Sequence, residues 1–138
     1  MTALVSQLIP LSAAASLGLL AGALLAEDRL LVPYWRSLSA ETFYALHPTF
    51  GPMLYRFFAP LTMAAPLAAV LAMVQVTLQS GGLTPRSLAA IATAVLTCSL
   101  VAIYFLYFKS VNEALLRRAV SATDLPTTLA RWAAWHRA

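Results

Sequence analysis

The hydrophobic positions of the chain fall into three long stretches that contain no charged side chain. These stretches cover residues 4–26, 57–80 and 87–108 approximately. Each holds the roughly 20 apolar residues that an α-helix needs to cross about 30 Å of hydrocarbon. A strand spanning lipid would instead alternate apolar and polar residues and would need a closed barrel. The pattern therefore predicts three transmembrane helices.

The composition favours the same class of protein. The sequence is 61% hydrophobic and 10% charged, whereas a soluble domain has about 25% charged residues. We expect an all-α fold, an integral membrane helical bundle forming one domain over residues 1–138, with a C-terminal helix that could begin a fourth span. The first stretch has no Lys or Arg before its apolar core, so we expect a retained helix and not a cleaved signal peptide.

The charged residues are distributed very unevenly. Apart from Arg86 in the short turn "GGLTPR", all of them lie in two segments, 27–56 and 109–138. With three spans, these two segments share one face of the membrane. Because basic loops stay in the cytoplasm, we expect both segments to lie on the cytoplasmic side of a bacterial inner membrane. The N-terminus and the turn would then lie on the opposite side. The single cysteine, Cys98, cannot form an internal disulfide, and we expect a small buried side chain.

The connection 27–56 is long, aromatic and predicted to be structured. Within "SAETFYALHP", Ser39 is a suitable N-cap, and Pro48 is expected to end a short helix directly after His47. Phe43 and His47 are four residues apart and would share one face of that helix.

The segment 109–138 is predicted to extend the third helix and then to form a new one. The helix should continue through "VNEALLRR", and "SATDLP" should break it. A new helix is expected near Pro126, since proline is favoured in a first turn. On that helix Trp132 and His136 would share a face.

The residues of the predicted cytoplasmic face allow two interpretations. Trp35, Trp132 and Trp135 could be interfacial anchors, because each has an apolar body and a polar tip. A histidine, in contrast, titrates near neutral pH and can act as a general base. His47 and His136 are far apart in sequence and belong to no metal-binding motif, so no metal site is predicted.

Several segments together point to a known family. They are "VPYW", a histidine-containing aromatic connection before a Pro-rich second helix, "VNEALLRR", and "RWAAWH". Over nearly the whole chain the sequence resembles the anthrone oxygenase-like family of small membrane proteins. The most specific matches are the Asn112 segment and the segment that contains Trp132, Trp135 and His136.

The resemblance implies a bundle of four membrane helices and, for some fungal members, oxidation of anthrones to anthraquinones by O2 without a metal or flavin. We therefore expect no cofactor and a planar aromatic or quinone-like substrate that arrives from the membrane lipid. A histidine would remove the acidic C–H proton, and an amide or arginine would stabilise the resulting oxyanion. On this hypothesis the catalytic residues are His136, His47 and Asn112, and the substrate-binding residues are Trp132, Trp35, Tyr34, Arg36 and Arg131.

A second hypothesis is a non-enzymatic accessory subunit. Members of the family continue beyond the Trp–His segment into a fourth apolar helix, whereas this sequence stops at Ala138. A larger membrane complex or a homo-oligomer would then fill the gap. Small residues recur every fourth position of the first helix and predict close helix packing, within the chain or with a copy: Ala14, Gly18, Gly22 and Ala26. A heme or quinone binder is a third possibility, and a nucleic-acid partner is not expected.

Overall fold

The structure, a computed structural model, describes residues 3–137, with side chains described from Gln7 onward. Its elements are helices, and no β-strand occurs among the described residues, which confirms the all-α prediction. In chain order the α-helices are α1 (Ala3–Ala26), α2 (Val32–Ser37), α3 (Ala40–Ser80), α4 (Pro85–Ile103), α5 (Lys109–Leu116) and α6 (Leu125–His136). Two π-helical segments, Glu27–Leu31 and Tyr104–Phe108, join α1 to α2 and α4 to α5.

Three continuous helical stretches are long and apolar enough to cross a membrane, as predicted. They are Gln7–Ser37, Ala40–Ser80 and Pro85–Leu116. Each is longer than its charge-free stretch, because the helix continues into the neighbouring polar segment. The 41 residues of α3 extend about 60 Å at 1.5 Å per residue, roughly twice the hydrocarbon thickness. Only part of α3 is therefore needed to cross a bilayer.

The chain divides into two compact units. The first consists of the chain up to Ala21 together with Ala59–Ala102. Its buried side chains are mostly small, and they are Ala13, Leu20, Ala65, Pro66, Ala69, Val76 and Ala94, with the polar Gln75, Ser87 and Thr97. Large leucines face outward instead, among them Leu19, Leu67 and Leu96. This arrangement suits lipid, where helices associate through small residues and large apolar side chains need no protein cover.

Cys98 departs from the prediction. It is a free cysteine on α4, but it is exposed and not buried. The expectation of a buried side chain applied the rule for water-soluble proteins, in which a small apolar side chain leaves the solvent. On a helix apolar enough to cross a membrane, an outward apolar side chain contacts lipid, so its exposure costs no hydrophobic free energy.

Two local features fix the turn between α3 and α4. Gly81 has a φ of +64° and Gly82 a φ of +159°, conformations that only glycine adopts without strain. The backbone N–H of Ser87 donates to Thr84 Oγ1 at 3.2 Å, and the N–H of Thr84 donates to Ser87 Oγ at 2.7 Å. This reciprocal pair is a capping box with serine in the place usually taken by glutamate, and it fixes the start of α4.

The second compact unit combines Gly22–Phe58 with the chain from Ile103 onward. It carries all five acidic residues and all of the basic residues except Arg86. Its largest core cluster joins α2, α3, α5 and α6 through side chains that are at most 4% exposed, namely Trp35, Phe43, Leu115, Leu125 and Leu129. The polar segments 27–56 and 109–138 thus fold together into a packed body.

The start of α3 confirms one prediction and corrects another. Ser39 Oγ accepts a hydrogen bond from the backbone N–H of Thr42 at 3.2 Å, as an N-cap should. The prediction that Pro48 ends a short helix is wrong, because α3 continues through it to Ser80. Proline has no N–H to donate to the carbonyl of Tyr44, four residues earlier. The guanidinium of Arg118 donates to that carbonyl instead, at 2.7 Å.

Arg118 occupies an unusual backbone position. Its φ is +54°, the one positive value at a described residue other than glycine. The N–H of Arg118 donates to Leu115 O and the N–H of Ala119 to Ala114 O, at 3.1 and 2.8 Å. This is the Schellman arrangement that ends α5, and glycine is the usual residue at its left-handed position. Arginine there accepts backbone strain and reaches the carbonyl that Pro48 leaves unbonded.

Candidate functional site

The second unit contains a polar contact between α5 and α6. The indole Nε1 of Trp132 donates a hydrogen bond to Asn112 Oδ1 at 3.1 Å. An indole N–H can only donate, so the contact fixes which way the Asn112 amide points. Its NH2 group forms no hydrogen bond with any residue the structure describes. Asn112 therefore holds Trp132 in place and keeps two donors available.

His136 lies in an aromatic cluster one turn beyond Trp132. The two rings are 4.1 Å apart between centroids and nearly perpendicular, which confirms that they share a face of α6. Phe108 also packs against it, with its ring centroid 4.7 Å from that of the imidazole and 6.1 Å from that of Trp132. Val32 of α2 and Ala133 complete this small core. The imidazole is thereby held in one orientation.

A carboxylate faces this imidazole. His136 Nε2 lies 3.8 Å from Glu27 Oε1, and each of the two side chains is only 10% exposed. The distance exceeds hydrogen-bond range, and Nε2 is buried without a hydrogen-bond partner. Glu27 and Phe108 both come from the π-helical segments, which are rare and often occur at functional sites.

Burial sets the protonation state of His136. It lowers the pKa of the imidazole to about 4, and the negative charge of Asp28 opposes that shift. The imidazole is therefore neutral at physiological pH, and its contact with Glu27 is not an ion pair there. Asp28 itself lies 3.6 Å from Nε of Arg29 and 3.6 Å from Nε of Arg137. Burial raises the pKa of the Glu27 carboxyl group to about 7, so near neutral pH this group is only partly ionised. The cluster therefore holds a neutral imidazole, which can accept a proton, beside a carboxyl group that titrates close to neutral pH.

His47 belongs to a different cluster. Its ring stacks on Phe43 at 4.9 Å, which confirms their shared face, and contacts Trp35 at 5.9 Å. Its Nδ1 is buried without a hydrogen-bond partner. A Cβ placed on Gly51 would lie 3.2 Å from His47 Cε1, so glycine at that position makes room for the ring. This packing is typical of a core histidine.

The remaining predicted site residues are not gathered around either histidine. Tyr34 contacts the ring of Trp35 at 5.6 Å and is 48% exposed. Arg36 is exposed and forms no hydrogen bond, ion pair or ring contact with any residue the structure describes. Arg131 lines a separate surface pocket with Tyr107 and Asp124. The structure thus brings together Asn112, Trp132 and His136 in one cluster and Trp35 with His47 in another.

Glu27 and Phe108 were missed by the sequence reasoning. In the sequence, Phe108 is the last residue of the third apolar stretch, and Glu27 is the first charged residue after the first apolar stretch. The only available signal was that Glu27 is one of five acids in a chain rich in basic residues. An acid at the very edge of an apolar helix is costly and suggests a function.

The described residues contain no group of three or more His, Cys, Asp or Glu side chains that could hold a metal ion. The resemblance to the anthrone oxygenase-like family rests on the sequence segments alone. No family model, curated protein or solved structure matches this chain.

Proposed function

We propose that this membrane protein is an acid–base enzyme that removes a proton from a planar, lipid-soluble phenol or anthrone-like substrate, whose anion then reacts with O2. The observation that carries the proposal is the enclosed pair of His136 and Glu27. A neutral imidazole nitrogen without a hydrogen bond lies beside a carboxyl group, both nearly buried. Burying ionisable groups costs desolvation free energy, and groups that are buried in spite of this cost are often functional.

The proposed chemistry needs one base and one counter-charge. His136 takes the proton of the activated C–H bond, and the electron pair of that bond delocalises onto the substrate carbonyl. The ionised form of Glu27, 3.8 Å from Nε2, stabilises the imidazolium that forms. The carbanion transfers electrons to O2 and forms a C–O bond, and loss of water from the peroxide leaves a second carbonyl. In sum, CH2 and O2 become C=O and H2O.

The surroundings of His136 supply the other requirements. Trp132 and Phe108 place aromatic rings against the imidazole, and the free NH2 of Asn112 can donate to a developing oxyanion. In this scheme His47 stabilises the packing of α2 on α3 and does not take part in proton transfer. We place the second unit at the cytoplasmic face of a bacterial inner membrane, since it holds nearly all the basic residues.

The test is O2 consumption by the purified protein with an anthrone as substrate. We expect His136→Gln to lower the rate by at least about 100-fold, the usual contribution of a general base, while His47→Gln retains it. Ionisation of Glu27, whose pKa burial raises to about 7, should give one limb of the pH–rate profile near pH 7. The limb from His136 should lie near pH 4 and not near 6.5, because the imidazole remains neutral above pH 4. Asp28→Asn should move the limb to still lower pH. An unchanged rate in His136→Gln would exclude this mechanism.

The structure also favours one feature of the accessory-subunit hypothesis. A Cβ placed on Gly18 or on Gly22 meets no atom within 4 Å, so neither glycine of this stripe packs against another described helix. A second membrane helix, from a copy or from a partner subunit, could approach it closely. If so, Gly18→Leu and Gly22→Leu should reduce the size of the complex in native gels. A monomer of unchanged size in both wild type and variants would speak against this second candidate.

A further inference from the structure

A surface pocket of about 330 Å³ lies on the second unit, apart from both histidines. It is lined by Tyr107, Val111, Asp124, Thr127, Thr128 and Arg131. Its volume is at the lower end of the range of about 300 to 1,000 Å³ for small-molecule sites. The lining combines an apolar wall from the third helical stretch with charged and hydroxyl groups from the start of α6.

Two opposite charges line this pocket without neutralising each other. Arg131 forms no hydrogen bond and no ion pair with any residue the structure describes. The carboxylate of Asp124 accepts one hydrogen bond, from Ser121 Oγ at 2.7 Å, and pairs with no cation in the same range of the chain. Both side chains are exposed. An unpaired guanidinium and an unpaired carboxylate in one pocket complement a ligand that carries both signs of charge.

The position of the pocket along the chain agrees with a ligand from the membrane surface. Tyr107 and Val111 lie on either side of Lys109, the first charged residue after the third apolar stretch. Such a charge marks the level at which a spanning helix meets the lipid headgroups. At that level, basic side chains contact lipid phosphates. An amphipathic tyrosine wall also suits this boundary.

We propose that this pocket binds a zwitterionic phosphoethanolamine group. The phosphate oxygens accept hydrogen bonds from the Arg131 guanidinium and from the hydroxyls of Thr127 and Thr128. The primary ammonium donates to Asp124. The same chemistry is offered by the headgroup of phosphatidylethanolamine and by a soluble phosphodiester, and the two sources are separated experimentally below. The proposal is independent of the chemistry at His136.

The first arm measures binding of soluble headgroups to the full-length protein in uncharged maltoside micelles by calorimetry. Glycerophosphoethanolamine should bind at least about 10-fold more tightly than glycerophosphoglycerol or inorganic phosphate, because each of the latter leaves Asp124 unpaired. Arg131→Gln should weaken that binding by a similar factor. Asp124→Asn should remove the preference for the ammonium compound. Arg56→Gln, which removes an exposed cation outside the pocket, is the matched control and should bind like wild type.

The second arm reconstitutes the protein into vesicles of phosphatidylethanolamine or phosphatidylglycerol and identifies retained lipid by native mass spectrometry. Retention of phosphatidylethanolamine by wild type and its loss in Arg131→Gln identifies the lipid as the source. Binding of the soluble headgroup without retained lipid supports the same pocket chemistry with a soluble ligand. Equal affinity for glycerophosphoethanolamine and glycerophosphoglycerol, unchanged binding by Arg131→Gln, or no binding in either arm would overturn the proposal. Thermal unfolding of each variant verifies that it is folded.

Discussion

The hydrogen bond from Arg118 to the carbonyl of Tyr44 yields the sharpest stability prediction, because it compensates for the missing N–H of Pro48. The contact is short, at 2.7 Å, and lies at the protein surface. A hydrogen bond from a charged donor contributes about 1.5 to 3 kcal/mol to stability, and exposure to solvent reduces this to about 1 kcal/mol. The left-handed backbone of Arg118, with φ +54°, costs about 1 kcal/mol relative to glycine.

These two terms predict different outcomes for different substitutions. Arg118→Ala loses the hydrogen bond and keeps the strain, so it should lower the free energy of unfolding by about 1 kcal/mol. Arg118→Gly loses the bond but relieves the strain, so it should be nearly neutral. Pro48→Ala restores an N–H that can donate to Tyr44 and should itself stabilise the protein.

The double-mutant cycle decides whether the compensation is real. In the Pro48→Ala background, Arg118→Ala should cost close to nothing, which gives a coupling of about 1 kcal/mol between the two sites. The assay is the unfolding midpoint of the purified protein in maltoside micelles, with Arg117→Ala as control. An equal cost of Arg118→Ala in both backgrounds would refute the proposed link between the proline and the arginine.

Three further predictions concern other parts of the fold. The folded-state pKa of His136 is lowered to about 4. The neutral imidazole therefore contributes about 2 to 3 kcal/mol to the free energy of unfolding above pH 6.5, and this contribution is lost as the pH falls from 6.5 to 4. Melting curves of His136→Phe should lack this pH-dependent loss. Gly51→Ala should not stabilise wild type, since the new Cβ meets the His47 ring at 3.2 Å, but should stabilise His47→Ala by up to about 1 kcal/mol. Thr84→Ala removes the capping box of α4 and should lower the free energy of unfolding by about 1 kcal/mol. Thr93→Ala, the control, should change it by almost nothing, and thermal unfolding measures both.

Each of these predictions has a clear contrary result. A wild-type midpoint that falls with pH no faster than that of His136→Phe would mean that the imidazole is not held neutral. Stabilisation by Gly51→Ala in wild type would mean that the His47 ring moves aside at no cost. Equal effects of Thr84→Ala and Thr93→Ala would show that the cap contributes nothing specific.

Features set by local periodicity and hydropathy could be predicted from the sequence. The three apolar helices follow from runs of about 20 residues without charge, and the i,i+4 spacing placed Trp132 beside His136 and Phe43 beside His47. The break at "SATDLP" and the start of α6 near Pro126 were predicted by the same local rules.

Features that depend on contacts distant in sequence could not be predicted. Glu27 meets His136 across almost the whole length of the chain, and no local pattern pairs them. Pro48 is a helix breaker by its own chemistry, yet the side chain of Arg118 satisfies the carbonyl that it leaves unbonded, on Tyr44, 74 residues away in sequence. The π-helical segment that carries Glu27 has no sequence signal that we recognise.

The most direct test of the buried His136–Glu27 pair is an NMR titration of the imidazole nitrogens in the ¹⁵N-histidine-labelled His47→Gln variant, in which His136 is the only histidine. The geometry predicts that His136 stays neutral down to about pH 4, with a pKa near that value. A midpoint near 6.5, the ordinary value for an exposed histidine, would contradict the burial of His136 and, with it, the proposed acid–base site.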